Sequence, residues 1–162
     1  MRQILLCVSV FTCMMILPSY VFCENSVEGN MTAYKVTFNE KGDALFEQTE
    51  NIAPGDIIEY RILYENKGDN TVKNLKIDGP IPHNTHYVGN SDSSSVKYSF
   101  LVSIDYGKTW EEEPVKRIEQ LSDRTQKEVI IPPEKYTHIR WVSSEPLAPG
   151  DKQRFVYRVN LE

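Results

Sequence analysis

All three cysteines of the 162-residue chain, Cys7, Cys13 and Cys23, fall within its first 23 positions, so the remainder offers neither a disulfide nor a thiol nucleophile. Basic residues are also in deficit: 18 Lys and Arg against 23 Asp and Glu leave a net charge of −5, the wrong sign for a surface that neutralises nucleic-acid phosphates. A Gly-rich phosphate loop and a Gly-x-Ser-x-Gly elbow are both missing, which removes the usual sequence signals of nucleotide binding and of serine-hydrolase chemistry. Long hydrophobic runs are missing too. An uncharged run over residues 4–17, broken by Pro18-Ser19, falls short of the roughly 20 residues a membrane-spanning helix needs.

That run has Arg2 before it and Pro18-Ser19 after it, the layout of a secretory signal peptide. Val21 and Cys23 at the small-residue positions put cleavage after Cys23; Leu17 and Ser19 fit a cleavage after Ser19 less well. The expected organisation is a signal peptide over residues 1–23, a short tail over 24–30 and one domain over 31–162. Cys23 as a lipidated N-terminus is disfavoured, because Tyr20-Val21-Phe22 lacks the Leu and small residues of a lipoprotein signal. The product is expected to be exported, to the periplasm or the extracellular side of the envelope, with no membrane span in the mature chain.

The mature sequence has a dominant period of two. Ile58, Tyr60, Ile62 and Tyr64 alternate with Glu59, Arg61 and Leu63, and Phe155, Tyr157, Val159 and Leu161 with Arg154, Val156 and Arg158; the same alternation appears as Tyr34, Val36 and Phe38, and as Val96, Tyr98, Phe100, Val102 and Ile104. Each stretch reads as a half-buried strand with its apolar side chains in the core, and residues 85–88 and 136–142 are shorter candidates. Pro54-Gly55-Asp56, Gly79-Pro80-Ile81-Pro82, Asp105-Tyr106-Gly107 and Pro149-Gly150-Asp151 punctuate them as turns. Many short strands without helical spacing imply an all-β antiparallel sandwich. Residues 111–134 interrupt the pattern with Glu111-Glu112-Glu113 and Pro132-Pro133 and read as a long surface loop, with Val115, Ile118 and Leu121 spaced for at most one or two helical turns.

Pro54-Gly55-Asp56 before a strand ending in Tyr64-Glu65-Asn66-Lys67-Gly68, Asp78 with Pro82, Thr85-His86-Tyr87-Val88, Tyr136-Thr137-His138-Ile139-Arg140-Trp141, and Leu147-Ala148-Pro149-Gly150-Asp151 occur in this order. Together they resemble the bacterial conserved-repeat family catalogued as domain of unknown function eleven, over about residues 31–162. The resemblance implies an immunoglobulin-like β-sandwich on an exported bacterial surface or envelope protein, with no enzymatic residues assigned. One copy stands here where relatives often carry many, which weakens any analogy to a long adhesive stalk.

Ser103-Ile104-Asp105-Tyr106-Gly107-Lys108-Thr109-Trp110 fits S-x-D-x-G-x-T-W, similar to the Asp-box hairpin of sialidase propellers. Its logic is structural: Asp accepts backbone N–H groups across the reversal, Gly takes positive φ, and Trp folds back onto the hairpin. A single box does not make a propeller. His83, His86 and His138 near Asp78 lack the spacing of a metal set, and Asn90-Ser91-Asp92-Ser93-Ser94-Ser95 reads as a flexible connection before it reads as a calcium loop. No catalytic residue, metal or cofactor is nominated.

The residues singled out are therefore architectural: Pro54, Gly55, Pro149 and Gly150 as turn formers, Asp78 and Pro82 as familial positions, Asp105, Gly107 and Trp110 as the hairpin lock, and Trp141 in a strand. The expected function is a non-enzymatic interaction or structural module that docks an envelope or surface protein through an edge strand or the 111–134 segment. The alternative is a carbohydrate or cell-wall binding module, which needs Tyr87, Tyr98, Tyr106, Trp110 or Trp141 exposed as a platform.

Overall fold

Alternation builds the two central strands of the larger sheet. In β3 (Ile57–Asn66) and β11 (Lys152–Leu161), Ile58, Ile62, Phe155, Tyr157 and Val159 turn to one side and are buried, while Glu59, Arg61, Arg154 and Arg158 fall on the other, as the period of two requires. The computed structural model describes residues 27–122 and 124–162; the expected signal peptide and its cleavage site lie outside the described residues. The first described strand, β1 (Val27–Phe38), already occupies part of the segment expected to be a tail.

The remaining strands are β2 (Ala44–Glu47), β4 (Lys76–Pro80), β5 (Thr85–Tyr87), β6 (Ser93–Ser94), β7 (Tyr98–Ser103), β8 (Lys116–Gln120), β9 (Gln126–Ile130) and β10 (His138–Ser143). The larger sheet runs β2-β1-β3-β11-β5, with β6 also on β11; the smaller runs β4-β10-β7. Every pairing between strands is antiparallel, and the two sheets close on one core, which makes an all-β sandwich. The C-terminal strand lies in the larger sheet, between β3 and β5.

Ala53-Pro54-Gly55-Asp56 leads into β3 and Ala148-Pro149-Gly150-Asp151 into β11. In each, the Asp N–H donates to the Ala carbonyl, at 3.0 Å, and the Gly sits at positive φ, +88° and +80°. Pro before a left-handed Gly is the type II turn pattern. Gly55 N–H also donates to Leu161 O and Gly150 N–H to Asn66 O, so the turns tie together opposite ends of the β3–β11 pair.

Trp141 on β10 is 0% exposed and bridges the sheets: its ring centroid lies 5.8 Å from both Phe155 and Tyr157 and 5.7 Å from Phe100. Gly79 on β4 makes room for it. A Cβ there would stand 2.9 Å from Ile139 Cγ1 and 3.2 Å from Trp141 Cζ3. The buried Tyr157 hydroxyl donates to Pro80 O at 2.7 Å, so burying that ring leaves no orphan hydroxyl.

Two expectations are corrected. Residues 111–134 hold a β8–β9 hairpin, registered from Lys116↔Ile130 to Gln120↔Gln126, followed by a short 3-10 turn at Pro133–Lys135. Buried Val115 and the Arg117–Glu111 ion pair anchor its base, while Ile118, Leu121 and Ile130 stay exposed. With both hairpin faces in solvent, no apolar alternation was needed to form it, and the pattern was invisible. The second correction concerns β1. Its register puts Lys35 opposite Ile58 and Tyr34 opposite Glu59, and directly opposed residues share a face. Tyr34 and Val36 therefore stand on the outer face of the larger sheet, where Val36 is buried as expected but beside Phe46 of β2, whereas Lys35 lies on the sandwich side and pairs with Asp56 at 2.7 Å.

Candidate functional site

The Asp-box segment forms a hairpin locked by its own side chains. Tyr106 and Gly107 have φ of +62° and +80°, the pair of left-handed residues that a type I′ turn requires. Asp105 Oδ1 accepts from Ser103 Oγ at 2.7 Å and from Thr109 N–H at 2.9 Å, and Oδ2 accepts from Thr109 Oγ1 at 2.6 Å. Gly107 N–H donates to Ser103 Oγ at 2.9 Å. The Thr109 hydroxyl and N–H and the Ser103 hydroxyl together hold the Asp105 carboxyl at about 2, the direction expected when hydrogen bonds favour the ionised form. Tyr106 N–H donates to Thr137 Oγ1 at 2.9 Å, which fastens the turn tip to the start of β10.

Trp110 does not enter the core. It is half-buried on the outer face of the smaller sheet, with the Arg140 guanidinium 3.8 Å from its ring centroid. Arg140 also grips Asp78 with two hydrogen bonds, of 2.6 and 2.7 Å. Asp78 and Arg140 are direct cross-strand neighbours, so the strand-end aspartate and the box tryptophan meet through an arginine. The signal was the alternation of polar Asp78 and Arg140 with buried Ile77, Gly79, Ile139 and Trp141.

Beside the hairpin, a groove of about 380 Å³ is lined by Pro82, His83, Tyr106, Tyr136, Thr137 and His138, among others. Tyr106 is 71% exposed at its mouth. Of the five aromatics that would form a sugar platform, Tyr87 and Trp141 are buried in the core, Tyr98 and Trp110 are half-buried, and only Tyr106 stands free. His83 and His138 both line the groove, while His86 lies on β5 near Glu162 at 3.8 Å; among the described residues no group of three His, Cys, Asp or Glu is placed to hold a metal. The oxygen-rich 90–95 segment is likewise committed inward. Asp92 accepts from Tyr87 and Tyr98 hydroxyls at 2.8 and 2.9 Å, and Ser91 and Ser95 hydroxyls accept backbone N–H groups of β11. Burial and the Asp92 carboxylate push the Tyr98 hydroxyl up to about 12, so it stays a donor.

The larger sheet has a different kind of opening. β2 covers β1 only from Lys35 to Phe38, whereas β1 pairs β3 from Val27 to Val36. The other edge of residues 27–34 has no strand on it among the described residues. Gly29 on this stretch lies opposite Tyr64, whose ring covers it: a Cβ would stand 2.8 Å from Tyr64 Cε1. A further concavity of about 380 Å³, lined by Glu28, Gly29, Asn30, Leu63 and Glu65, adjoins the same stretch.

Of the residues singled out from the sequence, Asp78, Pro82, Asp105, Gly107 and Trp110 gather around the hairpin and groove, Pro54, Gly55, Pro149 and Gly150 form the two turns, and Trp141 fills the core. Sequence reasoning missed Arg140 and the open half of β1. The chain matches no family model, and comparison with curated proteins and with solved structures finds no similar protein.

Proposed function

We propose that the protein is an exported bacterial envelope protein of the conserved-repeat kind that acts without catalysis, as an interaction module taking an extended segment of an envelope or surface partner onto β1. The observation that carries this reading is the half-covered edge strand. Residues 27–34 offer about 26 Å of strand length at 3.3 Å per residue, and an edge presents a row of N–H and C=O groups that a partner backbone can satisfy. β2 already marks the track an added strand would continue. Side-chain selectivity follows from the pleat: Gly29, Met31 and Ala33 face the sandwich side and Asn30 and Thr32 the outer side, so the fitting segment alternates apolar with polar residues. Replacing Met31 and Ala33 together with Lys places charges along the edge, the device by which natural sheets repel added strands. The double variant is expected to fold and to lose its partner; unchanged partner recovery contradicts the reading.

The exposed ring of Tyr106 at the groove mouth favours a second reading, a cell-wall glycan stacked on that ring with Thr137 and His138 as polar contacts. Titration with cell-wall glycan fragments separates the two: binding that Tyr106→Ala removes and the β1 variant leaves intact supports the glycan.

A further inference from the structure

The outer face of the larger sheet concentrates positive charge in an otherwise acidic chain. Arg61, Arg154 and Arg158 stand on the outward side of β3 and β11, around one carboxylate, Glu59, which is only 4% exposed. Glu59 accepts from Arg61 Nε at 2.7 Å and from Arg158 Nε and Nη2, both at 2.9 Å. One carboxylate thus serves two guanidinium groups. Arg154 makes no ion pair and no side-chain hydrogen bond among the described residues.

Arg61 is held by two rings: its guanidinium carbon lies 4.4 Å from the Tyr34 ring centroid and 4.3 Å from that of Phe46. Contact with two aromatic rings restrains the fork. Nε is taken by Glu59, and the two terminal nitrogens have no acceptor among the described residues. Arg61 also lines a concavity of about 290 Å³, together with Glu59, Ser93, Ser94, Arg154 and Val156. β6 delivers Ser93 to it opposite Val156, which is itself opposite Arg61. Arg61, the unpaired Arg154 and the outward-facing Ser93 therefore border one hollow, and its two arginines less Glu59 leave a net charge of one positive there.

We propose that this hollow is a binding site for a phosphate group, with Arg61 as its preorganised fork and Arg154 as the residue that closes on the ligand. A tetrahedral oxyanion offers acceptors in several directions to donors arriving from three strands; a planar carboxylate offers fewer. Orienting Arg61 before the ligand arrives spares part of the ordering cost of binding. The site is separate from the β1 edge and stands if strand addition there fails.

The test is titration of the protein with inorganic phosphate, followed by amide NMR, with glycerol phosphate and acetate as parallel arms. Saturable shifts centred on Ser93, Ser94, Arg154 and Val156 are expected, with a Kd on the order of millimolar. Arg154→Gln, at an exposed position, is expected to weaken binding about tenfold, the loss of one charge-assisted hydrogen bond. Lys127→Gln on β9, which removes the same charge elsewhere, is expected to leave it within about twofold. Glycerol phosphate binding more tightly than phosphate identifies an esterified headgroup or sugar phosphate as the source, and equal binding identifies the free ion. Non-saturating shifts, equal weakening by both variants, or acetate binding as tightly as phosphate would overturn the proposal.

Discussion

The Trp110 ring lies under the guanidinium of Arg140, 3.8 Å from its carbon, on the outer face of the smaller sheet and outside the core. Trp110 was expected to fold back onto the hairpin as part of its lock; it caps an arginine already fixed by Asp78. A half-buried cation–π contact is worth about 0.5–2 kcal/mol. Trp110→Ala is therefore expected to cost about 1–2 kcal/mol, against about 3–5 kcal/mol for Trp141→Ala in the core. Urea denaturation of both variants checks the ranking, and equal losses would contradict it.

Gly79 and Trp141 are packed to the limit of their space. Gly79→Ala pushes a methyl against Ile139 and Trp141 without straining φ, so its cost is overpacking, about 1–3 kcal/mol. Pairing it with Ile139→Ala, which removes the Cγ1 that the added methyl would meet at 2.9 Å, is expected to recover part of that loss in a double-mutant cycle. Strictly additive losses would place the strain elsewhere.

Asp105 sets an acid limit for the hairpin. Its carboxyl is held at about 2 in the folded protein against an ordinary 3.8, so the folded state favours the ionised form. The stabilising contribution is complete above pH about 4 and is lost as the pH falls through about 2. The Thr109 amide resonance, whose N–H bonds Asp105 Oδ1, is expected to titrate in that window. Titration of this amide near pH 4 would show that the hydrogen bonds do not favour the carboxylate.

The period-two pattern was sufficient for β3, β7 and β11 because each buries one face, and Pro-Gly-Asp announced both type II turns. It misjudged β1, whose apolar Tyr34 and Val36 are real alternation but cover Arg61 and Phe46 on the outer face; periodicity gives the faces of a strand and not which of them meets the core. The β8–β9 hairpin carried no periodic signal because neither face is buried beyond Val115. The Glu59, Arg61, Arg154 and Arg158 cluster was present as alternate charged positions in two strands, but its convergence depends on the β3–β11 register, which is set by contacts distant in sequence. The open half of β1 depends in the same way on where β2 stops.

Strand addition is tested most directly by placing a photo-crosslinking amino acid at Asn30, on the open half of β1, and for comparison at Ile118 on the exposed β8–β9 hairpin, in cells making the full chain. The account predicts a discrete adduct from Asn30 that maps to one extended segment of a single envelope protein, and its loss when Met31 and Ala33 are both changed to Lys. An adduct from Ile118 alone, or an Asn30 adduct indifferent to the two lysines, would contradict it.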